Sequence, residues 1–228
     1  MKKPVRAIAV DIDGTLTDYT RRVSCEAIQA LRKQVDGGIT VMLVTGNVLP
    51  IAYALCHYLG FNGPVIAENG GLVSRGTEVE FLSSREEPAR AYEYLITQMK
   101  AERIFSDKWR ETEIAIRSEH DLEEVRSHLV GFDVKVVTTG WAHHIMHKDT
   151  DKANGLNYVL DRWLGMRMDE LAAIGDSDND VNMIRCAGYG ITLSNGSQMC
   201  KKHADFVSSK PHGKGIVEAL EWLGLETR

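Results

Sequence analysis

The chain has 228 residues, 43% of them apolar and 26% charged, which is the composition of an ordinary globular protein and enough for one core with a smaller lobe inserted in it. Its formal net charge of −5 gives no overall attraction to nucleic acid or to an anionic membrane, so the expected partner is a small molecule. No stretch approaches the roughly 20 apolar residues of a membrane span, and the apolar run before Asp11 is too brief for a signal-peptide core. The cysteines Cys25, Cys56, Cys186 and Cys200 form no C-x-x-C pair and read as structural thiols, so a cytoplasmic protein is expected.

In chain order, the near-continuous apolar runs at 5–10, 39–44, 65–67 and 171–174 suit strands buried on both faces, as in a parallel sheet. Helices separate them. Ser24 is a plausible N-cap for a helix carrying Ala27, Ile28, Leu31 and Val35, with Gly37-Gly38 as its stop. Pro50 begins a second, with Ala54, Leu55 and Leu59 before Gly60. The alternation predicts an α/β, doubly wound (Rossmann-like) core with a parallel sheet. From about Ser83 the pattern changes. Pro88 opens a helix with Ala91, Tyr92, Leu95, Ile96 and Met99 on one face, a strand alternates at 113–117, and a helix carries Leu122, Val125 and Leu129. Strands near 133–138 and 141–147 follow, and residues 83–150 read as an inserted α+β lobe between core segments 1–82 and 151–228. The core resumes with a helical stripe at Ala153, Leu156, Val159, Leu160 and Trp163, short strands at 189–192 and 205–207, and a closing helix with Ile216, Val217, Leu220 and Leu223.

Chemistry concentrates where apolar strands end. Asp11-Ile12-Asp13-Gly14-Thr15 follows the first strand, where open α/β sheets bind their ligands; alone it would also pass for a polar turn. Gly175-Asp176-Ser177-Asp178-Asn179-Asp180 follows the strand ending at Ile174, and alone reads as a loop and helix cap. Gathering Asp11, Asp13, Asp176 and Asp180 without a cation would set like charges together, whereas hard oxygen donors suit Mg²⁺. Calcium fits less well, because the twelve-residue loop with its closing Glu is absent. Thr45-Gly46-Asn47 offers a hydroxyl, an amide side chain and backbone N–H groups to a phosphate. Lys152 supplies a cation to neutralise a nucleophile or phosphate.

In this order the four segments resemble the motifs of the haloacid dehalogenase superfamily of aspartate-nucleophile phosphatases, and the resemblance spans the whole chain. The insert looks like the α/β cap of the Cof-like subgroup. Asp13-Gly14-Thr15-Leu16-Thr17-Asp18, Thr45-Gly46-Asn47-Val48-Leu49-Pro50 and Glu68-Asn69-Gly70-Gly71 are most similar to archaeal-type phosphoglycolate phosphatases. The resemblance implies Asp11 as nucleophile and Asp13 as general acid and base. It also implies Mg²⁺ held by the side chains of Asp11 and Asp176 and the backbone carbonyl of Asp13, with Asp180 bound directly or through water. Thr45, Gly46, Asn47 and Lys152 would bind the phosphate of a small phosphorylated metabolite, 2-phosphoglycolate first among them, in a monomer or homodimer.

Sugar-phosphate phosphatase or phosphomutase activity on the same scaffold is the alternative; a phospho-acceptor signalling module is disfavoured by the Asp13 position and the insert. In His143-His144-x-x-His147 a zinc site is disfavoured, because two histidines on one strand face lie roughly 13 Å apart. Surface placement is expected for these histidines and for Arg117, with contact to a substrate carboxylate as the alternative; Lys214 is expected in a solvated turn rather than at the catalytic edge, and Trp109, Trp141, Trp163 and Trp222 in packing roles. Glu68–Gly71 is either a turn or part of the site lining.

Overall fold

The computed structural model describes residues 4–139 and 141–227. Four strands, buried throughout except at Thr40, coincide with the continuous apolar runs: β1 (Ala7–Val10), β2 (Thr40–Val44), β3 (Val65–Ala67) and, later, Leu171–Gly175. Between them α1 (Cys25–Asp36) starts where the Ser24 hydroxyl accepts from the Ala27 amide. The next helix, α2 (Leu49–Leu59), has Pro50 in its first turn and ends on Gly60 in the left-handed conformation. The sequence pattern does not announce β4 (Leu72–Arg75) and β5 (Glu78–Phe81), an antiparallel hairpin on the edge of the sheet. All four residues of β5 are exposed, so no buried face leaves an apolar alternation to read.

The middle of the chain forms α3 (Glu86–Gln98), β6 (Glu113–Arg117), α4 (Leu122–His128), β7 (Val134–Thr138) and β8 (Ala142–His147). Helix α3 starts two residues before Pro88; a missing N–H is tolerated in the first turn, where amides have no intrahelical acceptor. The strands pair antiparallel in the order β6-β8-β7. One sheet face packs Ile114, Ile116, Val136 and Ile145 against Ala91 and Leu95 of α3, Val125 of α4 and Leu129 just after it. By alternation, Glu113, Ala115, His144 and Met146 occupy the other face.

The chain then returns through α5 (Lys152–Val159), β9 (Leu171–Gly175), α6 (Val181–Cys186), β10 (Tyr189–Thr192), α7 (Gln198–His203), β11 (Phe206–Val207) and α8 (His212–Trp222). The expected helical stripe to Trp163 is α-helical only to Val159; Leu160–Leu164 form a wider turn that stops at left-handed Gly165. Strand order is β11-β10-β9-β1-β2-β3-β4-β5, parallel from β11 to β3. Side chains of α1, α2 and α8 cover one face and those of α5, α6 and α7 the other, giving the doubly wound arrangement. Parallel strands end together, so Asp11, Thr45, Glu68 and Asp176 emerge at one edge. Lys214 lies exposed on α8 rather than in a turn. Among the described residues no helix is long and apolar enough to cross a membrane.

Candidate active site

The loop after β1 is the tightest part of the edge. Gly14 sits at φ +89°, and a Cβ there would lie 2.5 Å from Oδ2 of Asp176, so both backbone conformation and space require glycine. That close approach lets the Thr15 hydroxyl donate to Asp176 Oδ1 at 2.7 Å. The Gly14 carbonyl accepts from Asn195 Nδ2 at 2.9 Å and from Nδ1 of the buried His212 at 2.7 Å. Asn195 also reaches Asp176 Oδ2 at 3.3 Å. Neither Asn195 nor His212 belongs to a recognisable motif in the sequence. Their only signal was position, just beyond β10 and at the start of α8.

Lys152 is buried at 1% exposure, with Nζ 2.8 Å from Asp11 Oδ1 and 2.6 Å from Asp180 Oδ1. Asp151, the N-cap of α5, accepts from the Ala153 amide and fixes where that helix begins. Asp180 uses its other oxygen, Oδ2, to accept from the amides of Asp176 and Ser177, both at 3.0 Å, which folds the loop after β9. Asp11 differs: its Oδ2 is buried and has no hydrogen-bond partner among the described residues. Burial raises the Asp11 pKa most, Lys152 opposes the rise, and Asp180 and Asp176 add to it, leaving the carboxyl well above its usual range. Asp176 is pushed up to about 6, by burial first and then by Asp180. Burial pulls Lys152 down, but the two carboxylates outweigh it and hold the ammonium charged.

Asp11, Asp176 and Asp180 each offer an oxygen within 4.8 Å of the other two. An unpartnered buried carboxylate oxygen, hard donors and carboxyls destabilised as anions by one another fit a divalent cation. The Asp13 side chain stands apart from this cluster, where its Oδ2 accepts from Asn47 Nδ2 at 3.3 Å. Thr45 Oγ1 accepts from the Asn47 amide at 3.0 Å, so that N–H, expected to be open to a phosphate, is engaged within the loop.

Glu68–Gly71 braces the site from behind. The Glu68 amide donates to the Asn47 carbonyl and the Asn69 amide to the Thr45 carbonyl, each at 3.0 Å. Gly70, at φ +92°, lets the turn press on the start of α5: a Cβ would lie 2.1 Å from the Asp151 carbonyl oxygen. The Glu68 carboxylate accepts from the amides of Glu111 and Thr112 and from the Thr112 hydroxyl at 2.7 Å, tying the turn to the segment before β6. Burial, then Glu113, raise Glu68 to about 7.

A cavity of about 340 Å³ opens between the edge and the three-stranded sheet, lined by Asp11, Asp13, Thr45, Asn47, Arg110 and His144 among others. His143 and His144 are buried, contrary to the expected surface placement, because β8 is covered on both faces. His143 contacts the His120 carbonyl with Nε2, while His144 Nδ1 donates to Glu113 Oε1 at 2.7 Å. Arg117 is exposed and pairs with Glu102 and Glu119. Trp109 and Trp141 are more than two-fifths exposed rather than packed, and Trp141 lines the cavity with the Arg21 guanidinium 4.1 Å from its ring.

Comparison with known proteins agrees with this geometry. A family described as haloacid dehalogenase-like hydrolase matches residues 8–107 and 112–220. A protein of Archaeoglobus fulgidus named phosphoglycolate phosphatase is 42% identical over 99% of each chain. Another of that name, from Methanothermobacter thermautotrophicus, is 38% identical over 95% of this chain and 97% of its own. A crystal structure from Thermoplasma acidophilum superposes with a TM-score of 0.91 at 30% identity, covering 98% of this chain and all of the other. With sheet order, acidic edge and nearly full-length matches in agreement, the chain belongs to the haloacid dehalogenase-like hydrolase family.

Proposed function

We propose that the chain is a Mg²⁺-dependent phosphatase that hydrolyses 2-phosphoglycolate to glycolate and phosphate through an aspartyl-phosphate on Asp11. The observation that carries this reading is the buried Asp11, tethered by Lys152 through one oxygen, unpartnered at the other, and lining the same cavity as Asp13. The substrate rests on the relatives named phosphoglycolate phosphatase, which match nearly end to end.

In the first half-reaction a carboxylate oxygen of Asp11 attacks phosphorus in line, and the bond from phosphorus to the ester oxygen breaks. The Asp13 carboxyl gives its proton to the departing alkoxide, which leaves as the alcohol. In the second, the Asp13 carboxylate takes a proton from a water that attacks phosphorus, releasing phosphate and restoring Asp11. Lys152 fixes the Asp11 carboxylate and offsets its charge as the anionic substrate approaches. Thr45, Gly46 and Asn47 border the position of the phosphoryl group, and the turn at Glu68–Gly71 holds that loop in register. Asp11, Asp176 and the Asp13 carbonyl would hold Mg²⁺, which when bound offsets carboxylate charge and stabilises charge on the transferring oxygens. Asp180 would bind the ion directly or through water, while its oxygens also hold Lys152 and the loop amides in place. Residues 83–150 act as the substrate-selecting cap, consistent with a cavity walled on one side by Arg110 and His144.

The test is phosphate release across small phosphomonoesters with Mg²⁺ or a chelator. Phosphoglycolate should be the preferred substrate, chelation should abolish release, and Asp11→Asn should lower turnover by about 10⁴-fold or more while retaining the fold. Wild-type-like turnover by that variant refutes the nucleophile assignment. A preference for sugar phosphates refutes the substrate assignment alone.

A further inference from the structure

Arg110 lies between α3 and β6 and is 3% exposed, yet it lines the cavity that holds Asp11. Its position is rigidly built. Nη1 donates to the Gly46 carbonyl at 2.9 Å and pairs with Glu113 Oε1. Glu113 is itself buried, held by His144 Nδ1 at 2.7 Å and by Asn69 Nδ2 at 2.9 Å. Although burial opposes ionisation, His144 and Arg110 outweigh it and keep Glu113 an anion. The carbonyl of Arg110 in turn accepts from the Arg85 guanidinium, which also grips Asp107. After all of this, Arg110 Nε remains buried without a hydrogen-bond partner among the described residues.

A buried guanidinium N–H is rarely left unmatched, and a guanidinium that lines a reaction cavity with donor capacity to spare suits an anionic group of the ligand. Because Gly46 follows Thr45, the Gly46 carbonyl fixes Arg110 beside the loop that borders the phosphoryl group. Glu113 neutralises one charge, but Arg110, His144 and Arg21 all line the cavity while Glu113 does not, so its wall is basic and its floor, Asp11 and Asp13, is acidic.

We propose that Arg110 is the specificity residue that receives a second anionic group of the substrate, a carboxylate close to the phosphoryl group, with Glu113 positioning the guanidinium. This rests on the phosphatase reading above and extends it. In a two-carbon phosphorylated acid the carboxyl carbon lies only a few bonds from phosphorus, so its receptor must adjoin the phosphate loop, as Arg110 does. A longer substrate with a distant charge would need a cation farther out, as Arg21 is, exposed over Trp141.

The test compares kcat/KM for phosphoglycolate with that for ethyl phosphate, which lacks only the carboxylate function, in wild type and Arg110→Lys. Wild type should favour phosphoglycolate by at least about 100-fold, because a site built to bind a charged group discriminates strongly against its absence. Arg110→Lys should cut that ratio by about tenfold or more, chiefly through KM for phosphoglycolate, since a lysine cannot reproduce the planar fork. An unchanged ratio in a folded variant, with both substrates falling together, overturns the proposal and assigns Arg110 to the phosphate or the scaffold. If the variant does not fold, the wild-type ratio decides: near-equal turnover of the two substrates overturns the proposal but leaves the phosphatase reading intact. Failure to release phosphate from either ester would instead remove the reading on which it rests.

Discussion

Replacing Lys152 by Met keeps most of the aliphatic stem and removes the one cation between two buried carboxylates. Asp11 and Asp180 are 4% and 0% exposed, so neither can recover its lost interaction from water. Breaking a buried ion pair from one side costs about 3–5 kcal/mol, because it leaves an uncompensated charge. For a chain of this length each kcal/mol corresponds to about 2–4 °C, so the melting temperature should fall by about 6–20 °C in metal-free buffer at pH 8. The loss should depend on pH with a defined sign. The Asp11 pKa already stands above its unfolded value, and without Lys152 it must rise further, so the native state of the variant binds a proton more tightly than the unfolded chain. Stability of Lys152→Met should therefore fall as pH rises from about 5 to 8, and the deficit should be smallest at the acidic end. Thermal melts followed by circular dichroism at the two pH values check this. A deficit under about 2 °C at pH 8, or one of equal size at both pH values, refutes the electrostatic account.

The remaining expectations concern Asp13 and Glu68. Asp13→Asn should lose about 10²–10⁴-fold in turnover of alkyl phosphates, but distinctly less with p-nitrophenyl phosphate, whose phenolate departs without a proton; equal losses on both would count against the acid role. Glu68 is a carboxyl raised to about 7, by burial first and then by Glu113, with the donors from Thr112 and Glu111 limiting the rise. A raised acid stabilises the fold fully only below its unfolded pKa, and that contribution is lost as pH climbs through the folded value. Urea unfolding from pH 5 to 8 should thus show wild type losing up to about 3 kcal/mol relative to Glu68→Gln, whereas parallel curves would show that Glu68 titrates normally.

What the sequence disclosed and what it concealed follow from one physical difference. Asp11, Thr45 and Asp176 were legible because strands buried on both faces are written as unbroken apolar runs, and the first polar residue after each must stand at the sheet edge. Lys152 was legible by its company and by the Asp151 cap that starts its helix. In β8, by contrast, Ala-His-His-Ile-Met-His is covered on both sides, by α3 and α4 and by the catalytic edge, so its alternation carries no sign of which face is which. His144 and Glu113 therefore gain their meaning only from pairing across β6 and β8, and Arg110 only from a carbonyl 64 positions away in sequence. Such residues look like surface charges in one dimension. Packing then imposes a condition that composition cannot show: a polar group at a dry junction between two sheets must be matched, and here Glu113 is matched by Arg110, His144 and Asn69. The Arg110 Nε–H has no match among the described residues, and Arg110 lines the same cavity as Asp11, into which a carboxylated substrate would bring an acceptor.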